Sequence, residues 1–354
     1  MRRHGFVFID RIIHFATNFI HSIWRSSSAA LLLLLLAYWF YGDFTIFLLL
    51  CLAILGTLYQ YQDSLLYYPD QPSSSRMFVQ QPYTIGLPSE NLYLRTADGV
   101  RINAVFIKQP PVRLPFAPTI MFIHGNAGNI GHRLPFAREL YHHCGVNVML
   151  LEYRGYGKSD GVPSENGLKL DARAGLEYLR DRTDIDASMI IVFGRSLGGA
   201  VGIDLACQQL YTDAIRGLIV ENSFTSIPAM GEVLFSALRL LPMFCFRNKF
   251  NSKSIVKSVR VPTLFLSGLS DELVPPRMMT ELCNKSGAIF KRIVRFENGS
   301  HNGTWLCPDY YKCISFFIAQ LLQMKSTRPN RKSGFTKKRS NNVIDMEKVM
   351  INDV

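Results

Sequence analysis

The chain has 354 residues, 48% of them hydrophobic and 19% charged, with a formal net charge of +12. That is enough for one large domain or two modest ones plus a further apolar segment, and too apolar for a disordered chain. Residues 1–28 carry +3 and residues 325–354 carry +5, which leaves +4 for the middle, so no nucleic-acid-binding core is indicated.

In residues 1–28, Phe6, Ile9, Ile12, Ile13, Ala16, Phe19, Ile20 and Ile23 recur at helical spacing. Asp10, His14, Thr17, His21 and Arg25 take the opposite side. The pattern predicts an amphipathic helix suited to lie in a membrane interface. Residues 29–59 follow with a single charge, Asp43. A run of this length crosses a bilayer once, with tilt to spare. Breaking it at Gly42-Asp43 leaves a first piece too short to span, so one transmembrane helix is expected. The run starts too late and is too long for a cleaved signal peptide.

Arg2, Arg3, Arg11 and Arg25 precede the span, against Asp63, Asp70 and Arg76 just after it. This bias favours a cytoplasmic N-terminus, a type II signal-anchor arrangement with the globular part on the far side. Residues 60–94, with Pro69, Pro72, Ser73–Ser75, Pro82 and Pro88, read as a juxtamembrane linker.

From 95 to 324 apolar runs alternate with helical stretches. A hairpin strand follows Asp98-Gly99. TIMFIH (119–124), NVMLLEY (147–153), MIIVFG (189–194), GLIVE (217–221) and TLFLSG (263–268) are apolar runs, and RIVRFE (292–297) is a last strand. Continuous apolar strands separated by helices predict a mostly parallel sheet with helices on both faces. Residues 222–261 interrupt the rhythm and read as a small cap, whose Leu-, Phe- and Met-rich part from Leu234 to Phe250 is either an acyl-chain site or a packed helix pair. Residues 325–354 are polar, basic and aperiodic, and are expected to be disordered.

The chemistry gathers where strands end. FGRSLGG, following the strand 189–194 and preceding a helix, has the G-x-S-x-G pattern. The pattern alone is weak, but in this context it predicts a nucleophile elbow at Ser196. HGNAGN (124–129) supplies a glycine-bearing loop, so the backbone N–H groups of Asn126 and Leu197 are the expected oxyanion hole. His124 in this loop reads as structural support rather than a base. SGLSDELVPP (267–276) offers Asp271 as the acid, with Glu221 at the end of GLIVE as the alternative. ENGSHNGTW (297–305) offers His301 as the base, an imidazole able to move a proton near neutral pH. The order Ser196, Asp271, His301 is that of α/β-hydrolases.

EYRGYGKS (152–159) lacks the first glycine of a phosphate loop, so it reads as a loop beside the pocket. The seven cysteines form no C-x-x-C pair or metal-ligand spacing. Asn284, Asn298 and Asn302 match the glycosylation pattern, though sugar on the last two would obstruct His301.

The motifs HGNAGNIGHRLP, YRGYGKS, FGRSLGGAV and SGLSDELVPP together resemble the α/β-hydrolase superfamily, in particular its membrane-anchored members, from the apolar run to about residue 322. The resemblance implies an α/β-hydrolase fold and a single-pass serine hydrolase with Ser196 as nucleophile, Asp271 as acid and His301 as base. It departs at Glu152, where relatives usually carry aspartate. Membrane-tethered members are linked to removal of palmitate from protein cysteines, which implies acyl esters or thioesters as the bond class. The expected partners are the bilayer and an acyl-bearing lipid or lipidated protein, and no nucleic acid. No metal or organic cofactor is required. A catalytically silent lipid- or partner-binding scaffold and a serine peptidase or amidase are the alternatives.

Overall fold

The computed structural model describes residues 28–326. The amphipathic segment expected over 1–28 and the basic tail over 325–354 lie, apart from their inner boundary residues, outside the described residues. The described chain divides into two units, one comprising residues 28–68 together with Leu240–Asn248, the other Pro69–Arg239 and residues 249–326.

In the first unit the apolar run is not one helix over 29–59. It forms α1 (Ser28–Tyr41) and α2 (Phe44–Leu66), which break at Gly42, where φ is +58°. The Asp43 carboxylate then accepts the Thr45 N–H at 2.6 Å and caps the new helix. The sequence marks this point with Gly42 and the only charge of the run; one helix is expected there because the first piece is too short to span. The ring of Tyr38 in α1 packs on Phe47 in α2 at 5.9 Å. With 23 residues, α2 is about 34 Å long and is long and apolar enough to cross a hydrocarbon core of about 30 Å. At 14 residues, α1 is not.

The second unit is built on an eight-stranded sheet of order β1-β2-β4-β3-β5-β6-β7-β8. The strands are β1 (Ser89–Arg95), β2 (Arg101–Ile107), β3 (Thr119–Ile123), β4 (Asn147–Leu151), β5 (Ile190–Arg195), β6 (Gly217–Glu221), β7 (Thr263–Gly268) and β8 (Lys291–Phe296). β2 runs antiparallel to β1 and β4, and the rest pair in parallel. The helices are α3 (Leu134–His143), α4 (Glu165–Asp181), α5 (Leu197–Cys207), α6 (Ile227–Leu234), α7 (Ser252–Ile255), α8 (Pro276–Lys285) and α9 (Tyr310–Ser326).

The alternation of the central strands sorts them between two layers. Ile120 and Phe122 of β3 join one buried cluster with Phe136 of α3 and Phe317 of α9. On the other face, Met121 and Leu151 approach Gly175 of α4, and Val192 and Leu218 approach Gly202 of α5. The residues between are fully buried, which explains why these strands read as unbroken apolar runs. The outer strand β8 carries exposed Lys291, Arg292 and Arg295, charges that discourage pairing with another chain.

The expected linker over 60–94 is corrected. Its first residues complete α2, and its last seven include most of β1. Between them, Val79 and Leu87 are buried, and the Asn129 amide donates to the carbonyls of Ser75 (2.8 Å) and Phe78 (2.9 Å). The prolines and serines break regular structure there, but a distant asparagine satisfies the backbone and holds the segment on the sheet. The expected cap over 222–261 is likewise divided, since Leu240–Asn248 groups with the first unit.

Candidate active site

The chain leaves β3 toward β4 on one side of the sheet, and β5 then pairs on the other side of β3. Such a switch point opens a crevice at the carboxyl ends of the two strands. The HGNAGN loop leaves β3 there, and Ser196 follows β5.

Ser196 has φ 55° and ψ −119°, a left-handed conformation that a non-glycine residue adopts only when its surroundings enforce it. The enforcement is steric and polar. A side chain at Gly194 would overlap the Gly198 carbonyl, and one at Gly198 would overlap the carbonyls of Ile123 and His124. The Ser196 N–H donates to the Glu221 carbonyl (2.8 Å), while its own carbonyl accepts from the Ser223 hydroxyl (2.8 Å) and the Gly199 N–H (2.9 Å). The turn thus requires glycines at 194 and 198, and the hydroxyl it presents begins a helix.

His301 Nε2 lies 3.0 Å from Ser196 Oγ, and His301 Nδ1 lies 2.8 Å from Asp271 Oδ2. The other oxygen of Asp271 accepts the N–H groups of Leu273 (2.9 Å) and Val274 (2.8 Å), which fixes the carboxylate on its loop. Ser196, Asp271 and His301 are 7%, 9% and 8% exposed, shielded from bulk water yet still reachable from the surface. Three residues from separate loops meet in one chain of contacts that can carry a proton away from the hydroxyl.

The Leu197 N–H is among the first-turn donors of α5 that no helix carbonyl receives. Opposite, the HGNAGN loop is held by its carbonyls. Tyr153 donates to His124 O (2.9 Å), Tyr156 to Asn126 O (2.8 Å) and Arg133 to Ala127 O (2.5 Å). Burial pushes the Tyr153 phenol well above its usual range, so it remains a donor. These anchors make the YRGYGKS segment the scaffold of the loop that carries Asn126.

His124 is no base for Ser196. It is fully buried, with Nε2 3.0 Å from Glu152 Oε1, while Glu152 Oε2 accepts the Ile130 N–H (3.0 Å). Glu221, the alternative acid, is also committed elsewhere. It accepts from Arg195 Nε (3.0 Å) and from the Tyr310 hydroxyl (2.8 Å). Arg195 in turn lies over the Phe136 ring at 4.7 Å. This buried pair braces the base of the elbow.

The sequence reading missed Asn222, the residue after β6. Its amide donates to the carbonyls of Ser300 (3.2 Å) and His301 (3.1 Å) and to the Thr304 hydroxyl (3.0 Å), and its oxygen accepts the Gly268 N–H (2.8 Å). It therefore ties the His301 loop to the end of the strand that leads to Asp271. Its φ of +46° suits asparagine, so an asparagine at the carboxyl end of a buried strand was the available signal. Among the described residues no group of His, Cys, Asp and Glu side chains is placed to hold a metal ion, and all seven cysteines are unbridged.

The fold and site define a hydrolase of the α/β type. A profile of the family described as serine aminopeptidase, S33, matches residues 116–259. Protein bem46 of Schizosaccharomyces pombe is 40% identical over 273 residues, 76% of this chain and 89% of that one. The α/β-hydrolase domain-containing protein WAV2 of Arabidopsis thaliana is 42% identical over 264 residues, covering 70% and 84%. The membrane protein YNL320W of Saccharomyces cerevisiae is 36% identical over 267 residues, covering 75% and 91%. Among solved structures, the Pyrococcus furiosus esterase Pf2001 superposes with a TM-score of 0.57 at 18% identity, over 72% of this chain and 98% of that one. The chain belongs to the α/β-hydrolase family.

Proposed function

We propose that the protein is a membrane-tethered serine hydrolase that transfers the acyl group of an ester or thioester to water. Ser196 Oγ attacks the carbonyl carbon while His301 Nε2 takes its proton, and Asp271 holds the imidazole through Nδ1. The backbone N–H groups of Asn126 and Leu197 receive the oxyanion. His301 returns the proton to the departing alcohol or thiol, leaving an acyl group on Ser196. Water, deprotonated by His301, then attacks the acyl-enzyme, and the carboxylic acid leaves with Ser196 restored. No cofactor enters this sequence.

The observation that carries the reading is the pair of contacts His301–Ser196 and His301–Asp271 at 3.0 and 2.8 Å. The esterase names among the structural neighbours agree with the bond class. The apolar α2, and a relative described as a membrane protein, support the tether. The proposed single crossing with a cytoplasmic N-terminus rests on the arginines that precede the span. Tethering favours acyl-bearing lipids and lipidated proteins, including palmitoyl thioesters, because both partners are then confined to one surface. A second reading, an aminopeptidase, is favoured by the description of the matching family profile, since the same groups cleave amides. Hydrolysis rates on matched acyl ester, thioester and aminoacyl-amide substrates separate the two. The proposal expects ester or thioester turnover that disappears in Ser196→Ala, and turnover confined to amides would replace it with the second reading.

A further inference from the structure

The polar end of α2 is bound to a short stretch that lies far from it in sequence. The Gln62 side chain donates to the Cys245 carbonyl (2.6 Å) and accepts the Arg247 N–H (2.7 Å). Asp63 accepts from the Asn248 amide (2.6 Å) and pairs with Arg247 (3.2 Å). The Tyr67 hydroxyl donates to the Asn248 oxygen (2.8 Å), and Asn248 is buried. The end of α2 and its cap residue Tyr67 thus hold the Cys245 carbonyl, the Arg247 N–H and the Asn248 side chain.

The residues just before this clamp are apolar and uncovered. Leu240 is 86% exposed, Phe244 76% and Met243 49%. Uncovered apolar groups of this size call for an occupant, and the helix supplies the location. The exposed side chains Leu49, Leu52, Ile54 and Tyr59 run along α2 up to the polar turn. Gln62 stands three residues beyond Tyr59, about 4.5 Å along the axis. That places Cys245, and Phe244 beside it, about one helical turn beyond the exposed apolar stretch of α2, at the membrane boundary where amphipathic segments rest.

We infer that Leu240–Cys245 is a membrane-embedded interfacial segment, with Leu240, Met243 and Phe244 in the lipid and the polar contacts of Gln62, Asp63 and Tyr67 holding it at that depth. The inference rests on the reading of α2 as a membrane span. Arg239 and Lys249 join the segment at both ends to the hydrolase unit, so it is a second attachment of that unit to the bilayer, formed from the expected cap. The apolar residues between Leu234 and Phe250 then serve in part as lipid contacts rather than as an acyl-chain site.

The test places an environment-sensitive fluorescent amino acid in the full chain at Leu52, Phe244 or exposed Lys285, one position at a time. The protein is reconstituted into phosphatidylcholine vesicles with brominated acyl chains. The expected result is loss of emission at Leu52 and Phe244 and none at Lys285. Loss at Leu52 without loss at Phe244 would overturn the inference and leave the span intact. No loss at either would overturn both. Protection of Phe244 from both brominated lipid and aqueous iodide would mean that protein covers it, a second copy included, and would also overturn the inference. None of these outcomes depends on catalysis.

Discussion

The side-chain amide of Asn222 donates to the backbone carbonyl of His301 at 3.1 Å, while its oxygen receives the N–H of Gly268 at 2.8 Å. One residue therefore sets the distance between the loop that carries the imidazole and the strand that leads to its carboxylate. Asn222→Ala leaves the Gly268 N–H without this acceptor and the loop carbonyls without their donor, at a cost of about 1–3 kcal/mol in stability. Displacing the imidazole by about 1 Å can cost on the order of 100-fold in rate. Thermal unfolding and turnover of a soluble short-chain ester check both effects. Wild-type turnover in a folded variant would show that Asn222 does not position His301.

Asp271 and Glu221 separate by outcome. Asp271→Asn should lower kcat by about 10⁴ with the fold intact, because the amide no longer holds the imidazole in its working tautomer. Glu221→Gln should instead act on stability, since it strips charge from a buried pair with Arg195, where loss of one partner costs about 3–5 kcal/mol. Kinetics and denaturant unfolding of both variants give the comparison. The reverse pattern would make Glu221 the acid.

Tyr156→Phe removes the hydrogen bond to the Asn126 carbonyl and keeps the ring that packs on His124 and Tyr153. A hydrogen bond worth about 1 kcal/mol corresponds to several-fold in rate. If that bond turns the Asn126 N–H toward the oxyanion, the loss falls on kcat, and KM for a short-chain ester stays near the wild-type value. A change confined to KM would argue that Tyr156 shapes binding instead.

Acid stability should depend on the contact between the β1–β2 turn and the YRGYGKS segment. Hydrogen bonds from Arg154 hold the Asp98 carboxyl down at about 2, from an ordinary value near 3.8. A carboxyl depressed on folding stabilises the fold above its unfolded pKa, and that stabilisation is lost as pH falls through its folded pKa. The contribution of Asp98 should therefore disappear between about pH 4 and pH 2, and Asp98→Asn should flatten the stability profile in that window. Asp98 is partly exposed, so salt should weaken the effect. Chemical denaturation at stepped pH measures it, and identical slopes for wild type and variant would contradict it.

The sheet was legible because its central strands are buried on both faces. Runs such as TIMFI and NVMLL then carry the signal in every residue, and the loops after them follow by topology. Ser196, Asp271 and His301 were legible because each stands in turn chemistry that few other functions require. What escaped detection depends on contacts distant in sequence. β1 looked like linker because SENLYLR is largely polar at an edge, and the residues before it are held by Asn129, some 50 positions later. The helix break is the exception: Gly42-Asp43 stands in the sequence as a possible split, set aside because the first piece is too short to span, whereas the local Asp43 cap starts a new helix there. Asn222 was overshadowed by Glu221 beside it, whose charge drew attention although its partners are Arg195 and Tyr310. The bond between Gln62 and Cys245 joins residues that no periodicity relates.

The reactivity of Ser196 is open to a direct reading by covalent capture. The full chain in vesicles is treated with a fluorophosphonate probe, digested, and the modified residue identified by mass spectrometry. The account predicts one phosphonylated serine, Ser196, with labelling abolished in Ser196→Ala and strongly slowed in His301→Ala. A folded wild-type protein that takes up no probe, or that carries it on another residue, would contradict the assignment of Ser196 as nucleophile.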